Sequence, residues 1–384
     1  MGVDRILCLA GEAKGQEFLR ECARLDVRPT LLTLDSLRGC AWPQESLEEL
    51  ASMPAGLNLE QILNTVSWMA RGRSYHRVVA LDAGWLLLAA QLREHMRVPG
   101  MGVTTAGFYR DKLAMRICAQ EAGFTVPAFC RVLHYDDLRL FMEELPAPWL
   151  LEPRYGREGM VRRIENAEQL WRSLDDLGDA QSRHILSQMI PGVSFHVESI
   201  LSERTVLFSQ VSRYGRARQE QLLAGGLQSS LLCPRDSRDW MELTALNAGL
   251  TPALGMARGV VHAEYLRSRV DGRYFFTELA APVCGPWEVE EVEAASGVNL
   301  WREWARLEAA HLRGGHYLPP ESFEHYAASI SGGGSALEGT LAALEDASIA
   351  ARSGDGLLLR AGTPEAAEGL LGEIWWAAEA AQAG

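Results

Sequence analysis

The chain has no C-x-x-C pair and no cysteines at metal-site intervals. Its seven cysteines, Cys8, Cys22, Cys40, Cys118, Cys130, Cys233 and Cys284, are scattered. An odd, dispersed count reads as free thiols in a reducing compartment, so the expectation is a cytoplasmic protein without disulfides. No apolar stretch approaches membrane length, and the apolar run in MGVDRILCLAG is too short for a signal peptide. Positive charge is in short supply, with 37 Lys and Arg against 50 Asp and Glu and a formal net charge of -13. That balance argues against binding nucleic acid or an anionic membrane through the overall field, and leaves at most a local basic groove for a phosphate. The sequence shows no internal repeat, no low-complexity tract, no G-x-G-x-x-G and no P-loop lysine followed by Ser or Thr. The missing dinucleotide fingerprint weighs against a nucleotide-dependent dehydrogenase.

What is present is ordinary globular material. Hydrophobic residues make up 47% and charged residues 23% of 384, enough for packed cores in two or three domains. In residues 1–103, short apolar runs at Arg5 to Ala10, Thr30 to Leu34 and Arg77 to Leu81 alternate with amphipathic segments at Gly15 to Leu25 and Leu86 to His95. That alternation predicts a parallel α/β layer. The first strand ends in Gly11-Glu12-Ala13-Lys14-Gly15, a turn that either cradles a phosphate or simply joins strand to helix, with the plain turn favoured. Asp82 follows the third strand, where it is a ligand group or a helix N-cap.

From Thr104 the character changes. Thr104 or Thr105 can cap a helix over Tyr109 to Glu121 that stops at Gly123. Lys112 lies in it and, taken alone, reads as a solvated helix lysine. Trp149 to Tyr155 is a strand broken by Pro153, hence an edge strand or a bulged one. It runs into a glycine-bearing tip at Gly156 and Gly159, mobile enough to close over a ligand, and returns through Met160 to Ile164. A helix at Ala167 to Leu177 and strands at His184 to Met189, Phe195 to Leu201 and Thr205 to Val211 follow. Gly225-Gly226 is a turn or a loop over a site. Arg238 to Leu254 is helical, and Asn299 caps a helix whose Trp301 and Trp304 read as core. A strand-like Leu357 to Arg360 and a helix from Pro364 complete the tail.

The densest chemistry lies in Val260 to Glu308. Apolar runs at Val260 to Leu266 and Tyr274 to Leu279 flank Asp271-Gly272, a hairpin signal. If the pairing axis falls near Asp271, Glu264 stands opposite Glu278 on one face. Two carboxylates that close need a proton or a cation between them, and an all-oxygen pair suits Mg²⁺. A one-residue slip sends one of them to solvent instead.

Taken together, these pieces resemble the ATP-grasp superfamily of carboxylate ligases. The resemblance runs over nearly the whole chain and rests on TTAGFYRDKLAMRICAQEAGFTVP, WLLEPRYGREGMVRRI, LSQMIPGVSFHVES, HAEYLRS and FFTELAAPVCG, in that order. It implies an N-terminal parallel α/β domain over 1–103 and a first ATP-grasp lobe over 104–186. A second lobe carrying the metal hairpin then spans 187–318, and a small C-terminal capping lobe spans 319–384. The fold class is thus α/β and α+β together. It also implies Mg-ATP as cofactor and small-molecule carboxylate and amine substrates joined through an acyl phosphate; whether the chain forms a homo-oligomer is left open.

Residue by residue, Lys112 matches the first phosphate lysine, and Glu264 and Glu278 match the two metal ligands. Gln188, Met189 and Ile190 fall at the adenine hinge, and His196 falls on the ribose or phosphate side. Four positions depart from the pattern. Glu152 stands where a second phosphate lysine is expected, and Ser187 replaces a hinge glutamate. Ala280 replaces an asparagine of the metal shell, and Pro282 with Cys284 replaces an arginine and a glycine. The resemblance therefore implies either an ATP-dependent ligase or a catalytically degenerate relative serving as a binding or regulatory subunit.

Overall fold

The structure, a computed structural model, describes residues 3–156, 161–224, 226–283, 285, 287–332, 349–353 and 356–383. Three sheets organise them. Strands β1 (Arg5–Ala10), β2 (Arg28–Leu34), β3 (Glu49–Met53) and β4 (Arg77–Ala80) form the first, in the order β3-β2-β1-β4, with every pairing parallel. Its strands are covered on both faces, which is why they read as continuous apolar runs. Leu7, Leu9 and Leu32 pack toward the helices Leu59–Met69 and Leu86–Met96. Ile6, Cys8 and Leu31 pack with Phe18 of the helix Gln16–Arg24 and Trp304 of the helix Leu300–Leu312. β3 escapes the sequence reading because it is a half-exposed edge strand, ELASM, with no apolar run.

The second sheet comprises β5 (Phe129–Arg131), β6 (Trp149–Pro153), β7 (Arg162–Ile164) and β8 (His184–Gln188), all antiparallel, in the order β5-β8-β6-β7. β6 is interior, not the edge strand that its proline suggested. Pairing with β7 ends at Leu151 while pairing with β8 continues to Pro153, so the missing N–H falls where β6 has one neighbour. The helix leading into this sheet begins at Lys112, later than the expected Tyr109, because the Asp111 carboxylate caps it by accepting from the Leu113 N–H at 3.0 Å. Residues 157–160, which include Gly159 of the expected glycine-bearing tip, lie outside the described residues, as do Gly225 and Cys284.

The third sheet carries β9 (Gly192–Ser202), β10 (Thr205–Tyr214), β11 (Gln228–Leu232), β12 (Gly259–Ser268), β13 (Tyr274–Ala280), β14 (Tyr326–Ser331), β15 (Ile349–Ser353) and β16 (Gly356–Ala361). Their order is β13-β12-β9-β10-β11-β14-β16-β15. The tail strands β14 to β16 thus extend the same sheet that bears the hairpin. Asn299 caps the helix Leu300–Leu312, and Trp301 and Trp304 are buried, with the Trp304 ring 4.7 Å from that of Phe18. Among the described residues, no helix is long and apolar enough to cross a membrane.

Candidate functional site

β12 and β13 pair antiparallel with Glu264 directly opposite Glu278, and the turn between them uses Gly272 at φ 70. A register shift between Glu264 and Tyr265 falls beside the pair, the kind of irregularity that re-aims a side chain next to a functional site. The hairpin faces a cleft whose other wall is the second sheet and the helix Lys112–Glu121. Lys112, Arg116, Glu152, Ser187, Gln188, Arg218, Gln219, Glu264 and Glu278 all line that cleft, with apolar patches from Leu150, Leu222 and Leu266.

Lys112 and Arg116 lie one helical turn apart and project together. Glu152 on β6 and Ser187 on β8 are diagonal neighbours, since Leu150 pairs with Ser187 and Glu152 with Ile185. The four side chains close into a knot. Lys112 Nζ stands 3.4 Å from Glu152 Oε2 and 3.4 Å from Glu278 Oε2. Arg116 reaches Glu152 Oε1 at 2.8 Å and donates to Ser187 Oγ at 2.5 Å, while Ser187 donates to Glu152 Oε1 at 2.8 Å. Burial pushes the Glu152 carboxyl up, but Arg116 and Lys112 outweigh it and bring it down to about 2. Burial lowers Lys112, yet Glu278 and Glu152 leave its ammonium more strongly protonated than usual. Glu152 therefore points into the cleft; it turns toward neither Arg154, which pairs with Asp111, nor Arg163, which pairs with Glu165. Lys112 is one of two lysines in the whole chain, and it is buried rather than solvated.

Across the cleft, Glu264 is held by Arg218 Nε at 3.1 Å, by the Tyr214 hydroxyl at 3.1 Å and by His262 Nε2 at 3.3 Å. Burial raises the Glu264 carboxyl and Arg218, first among its partners, pulls it well below the usual range. Arg218 opens the helix Arg218–Ala224, and the next residue, Gln219, donates its side-chain amide to the Ile190 carbonyl. That helix lies over the cleft as a cover. The free space beneath is only ≈ 60 Å³, whereas pockets for nucleotide-sized ligands need roughly 300 Å³ or more. A nucleotide enters only if the cover and the second sheet part.

The remaining sequence candidates fall as follows. Gln188 lines the cleft, with its backbone N–H given to the Ala128 carbonyl at 2.8 Å. Ile190 packs with Leu266 and Phe275. His196 is 1% exposed and sits behind Glu264 on β9, where it meets Glu198 and Ser230 and does not line the cleft. Asp82 accepts from the N–H groups of Gly11 at 2.6 Å and Trp85 at 3.1 Å, so it ties the first strand's turn in place and caps the next one. Arg116, Arg218, Glu198 and His262 were not singled out in the sequence. His262 carried a signal, since it lies two residues before Glu264 and so shares its face. Arg218 carried none, being placed by a loop from a distant strand.

Glu264 and Glu278 offer carboxylate oxygens from facing positions, the kind of donor that Mg²⁺ takes, and Ala280, pairing with His262, adds none.

No family model matches the chain. An L-arginine-specific L-amino acid ligase of Bacillus subtilis is 22% identical over 236 residues, which is 59% of this chain and 56% of that protein. The match thus spans little more than half the length of that curated relative. An L-amino acid ligase of Bacillus licheniformis superposes with a TM-score of 0.74 at 18% identity, covering 97% of this chain and 98% of that one. The biotin carboxylase domain of the Hydrogenobacter thermophilus 2-oxoglutarate carboxylase, in complex with MgADP, ADP and bicarbonate, superposes with a TM-score of 0.70 at 15% identity, covering 95% and 88%.

Proposed function

We propose, from the ATP-grasp fold, that the chain joins a carboxylate to an amine through an acyl phosphate, at the expense of Mg-ATP. The observation that carries this reading is the facing pair Glu264 and Glu278 on β12 and β13, with the Lys112 ammonium 3.4 Å from Glu278. Phosphoryl transfer asks the protein mainly to position phosphates and offset their charge. Held between Glu264 and Glu278, Mg²⁺ would supply Lewis-acid charge at the phosphate oxygens. Lys112 would exchange Glu152 for a phosphate oxygen. The backbone of Gln188 to Ile190 would hold the base, and the helix Arg218–Ala224 would exclude water once the cleft closes again. Amino acids are the substrate class that the two amino-acid ligase likenesses support. A cytoplasmic site of action belongs to the same reading, supported by the six free cysteines among the described residues.

A second reading, a degenerate relative that binds rather than turns over nucleotide, is favoured by one observation. Glu152 neutralises both cations that would meet phosphate. Incubation with Mg-ATP and mixed amino acids, read by ADP release and by mass spectrometry of amide products, separates the two. The ligase reading expects ADP release that needs both an acid and an amine and falls by at least about 100-fold in Glu278→Gln, on the order of a lost charge-stabilising contact. Absence of ADP under every substrate combination would leave the binding-subunit reading standing.

A further inference from the structure

Behind the cleft, β9 and β12 place a square of alternating imidazoles and carboxylates on one face. His196 pairs with Glu264 in the strand register, and two residues along Glu198 pairs with His262. All four are buried. The hydrogen bonds around them decide where the imidazole protons sit. Ser230 donates its hydroxyl proton to Glu291 Oε1 at 2.9 Å, so at 2.8 Å from His196 Nε2 it must accept, and His196 carries its proton on Nε2. His262 Nε2 stands 3.3 Å from Glu264 Oε1, where it too donates. Each ring then turns Nδ1 toward the same carboxylate oxygen, Glu198 Oε1, at 3.0 Å for His196 and 2.5 Å for His262. Two lone pairs aimed at a carboxylate repel it unless each ring takes a second proton or a cation lies among them. Among the described residues, the other oxygen, Glu198 Oε2, is buried without a hydrogen-bond partner, and so is Glu288 Oε2.

We propose that His196, Glu198 and His262 form a binding site for a borderline divalent transition metal of the Zn²⁺ or Co²⁺ class, separate from the Mg²⁺ position between Glu264 and Glu278. The ligand atoms lie within 4.8 Å of one another, and bonds of about 2 Å to nitrogen and oxygen bring them to tetrahedral spacing with small side-chain shifts. Two imidazoles and one carboxylate form a donor set that suits Zn²⁺ and leaves a fourth position open. The outer partners are already in place, since Ser230 and Glu264 each receive the far N–H of a ligating ring, which fixes tautomer and orientation. Doubly protonated rings would bring the same added charge, and metal-free native protein in the experiment below is the outcome that favours them.

Because the site is buried, the metal must enter as the chain folds. The test is therefore to express the full chain in Zn²⁺-supplemented medium, dialyse it against a weak chelator without nucleotide, and measure metal content. Expression with Co²⁺ adds a visible spectrum that reports tetrahedral nitrogen and oxygen ligation. The expected result is about one equivalent of metal, reduced about tenfold or more in His262→Ala and in Glu198→Gln. If those variants do not fold, the Co²⁺ spectrum of the native chain carries the test alone. Native protein that folds free of metal with no Co²⁺ spectrum overturns the proposal, and so does unchanged metal content in folded variants. No nucleotide is present in any arm, so failure here is independent of the ligase reading.

Discussion

The two ionic clusters that meet at the cleft are made of similar residues and stand in opposite states. Lys112 and Arg116 are answered charge for charge by Glu152 of the second sheet and by Glu278, which reaches across from β13 of the third. On the third sheet's side, Glu198, Glu264, Glu288 and Glu291 are all buried, and Arg218 is the guanidinium bonded to Glu264. Burial raises the carboxyls of Glu288 and Glu291, whereas Arg218 pulls Glu264 down against its burial, as Arg116 and Lys112 bring Glu152 down to about 2. One cluster is balanced among its own side chains; the other sets Arg218 and the imidazoles of His196 and His262 against four buried carboxylates.

Removing Glu152 should have the largest effect, because it strands two buried cations. Glu152→Ala is expected to lower unfolding free energy by about 3–5 kcal/mol in urea titrations. Mg-ATP should restore part of the loss by supplying the missing negative charge. On the acid-rich side, Arg218→Met leaves Glu264 to Tyr214 and His262 and should cost roughly 3 kcal/mol. Added Mg²⁺ alone should stabilise that variant more than the native chain, as read by thermal melts, and an equal response would dissolve the contrast between the clusters.

Protonation offers a gentler probe. Glu152 has a folded-state pKa depressed to about 2, so its stabilising share is full above the ordinary carboxylate value. That share is lost as pH falls from roughly 4.3 toward 2. Melts across that window should slope downward less steeply for Glu152→Gln than for the native chain. The smallest effect is expected at Arg163, whose pairing with Glu165 is half exposed. Arg163→Ala should shift stability by less than about 0.5 kcal/mol and leave nucleotide affinity unchanged.

Much of this was legible in the sequence, for reasons tied to particular residues. The β12 and β13 runs and their Asp-Gly turn set the register that brings Glu264 opposite Glu278, because the period of a strand leaves few alternatives once one face is buried. The parallel N-terminal sheet was legible through its continuous apolar strands, apart from β3 at the edge. The state of Lys112 was not. A helix lysine looks solvated until the fold brings Glu152 and Glu278 to it from positions 40 and more residues away. Glu152 was readable as a charge reversal, but its partners were not, since nearby Arg154 and Arg163 were as plausible in sequence as Arg116. The cover helix with Arg218, and the convergence of His196 and His262 on Glu198, depend on strand order and loop path, which no local pattern encodes.

Glu152, paired with both Lys112 and Arg116, competes with phosphate for them. At an effective dielectric of about 20 and roughly 5 Å, one charge pair is worth about 3 kcal/mol, and half of that exceeds a tenfold change in affinity. Calorimetric titration of Mg-ATP into the native chain and into folded Glu152→Gln at matched salt tests it most directly. The expected result is weak binding to the native protein and binding at least about tenfold tighter in the variant. Tight native binding, or a variant that gains nothing, would contradict it.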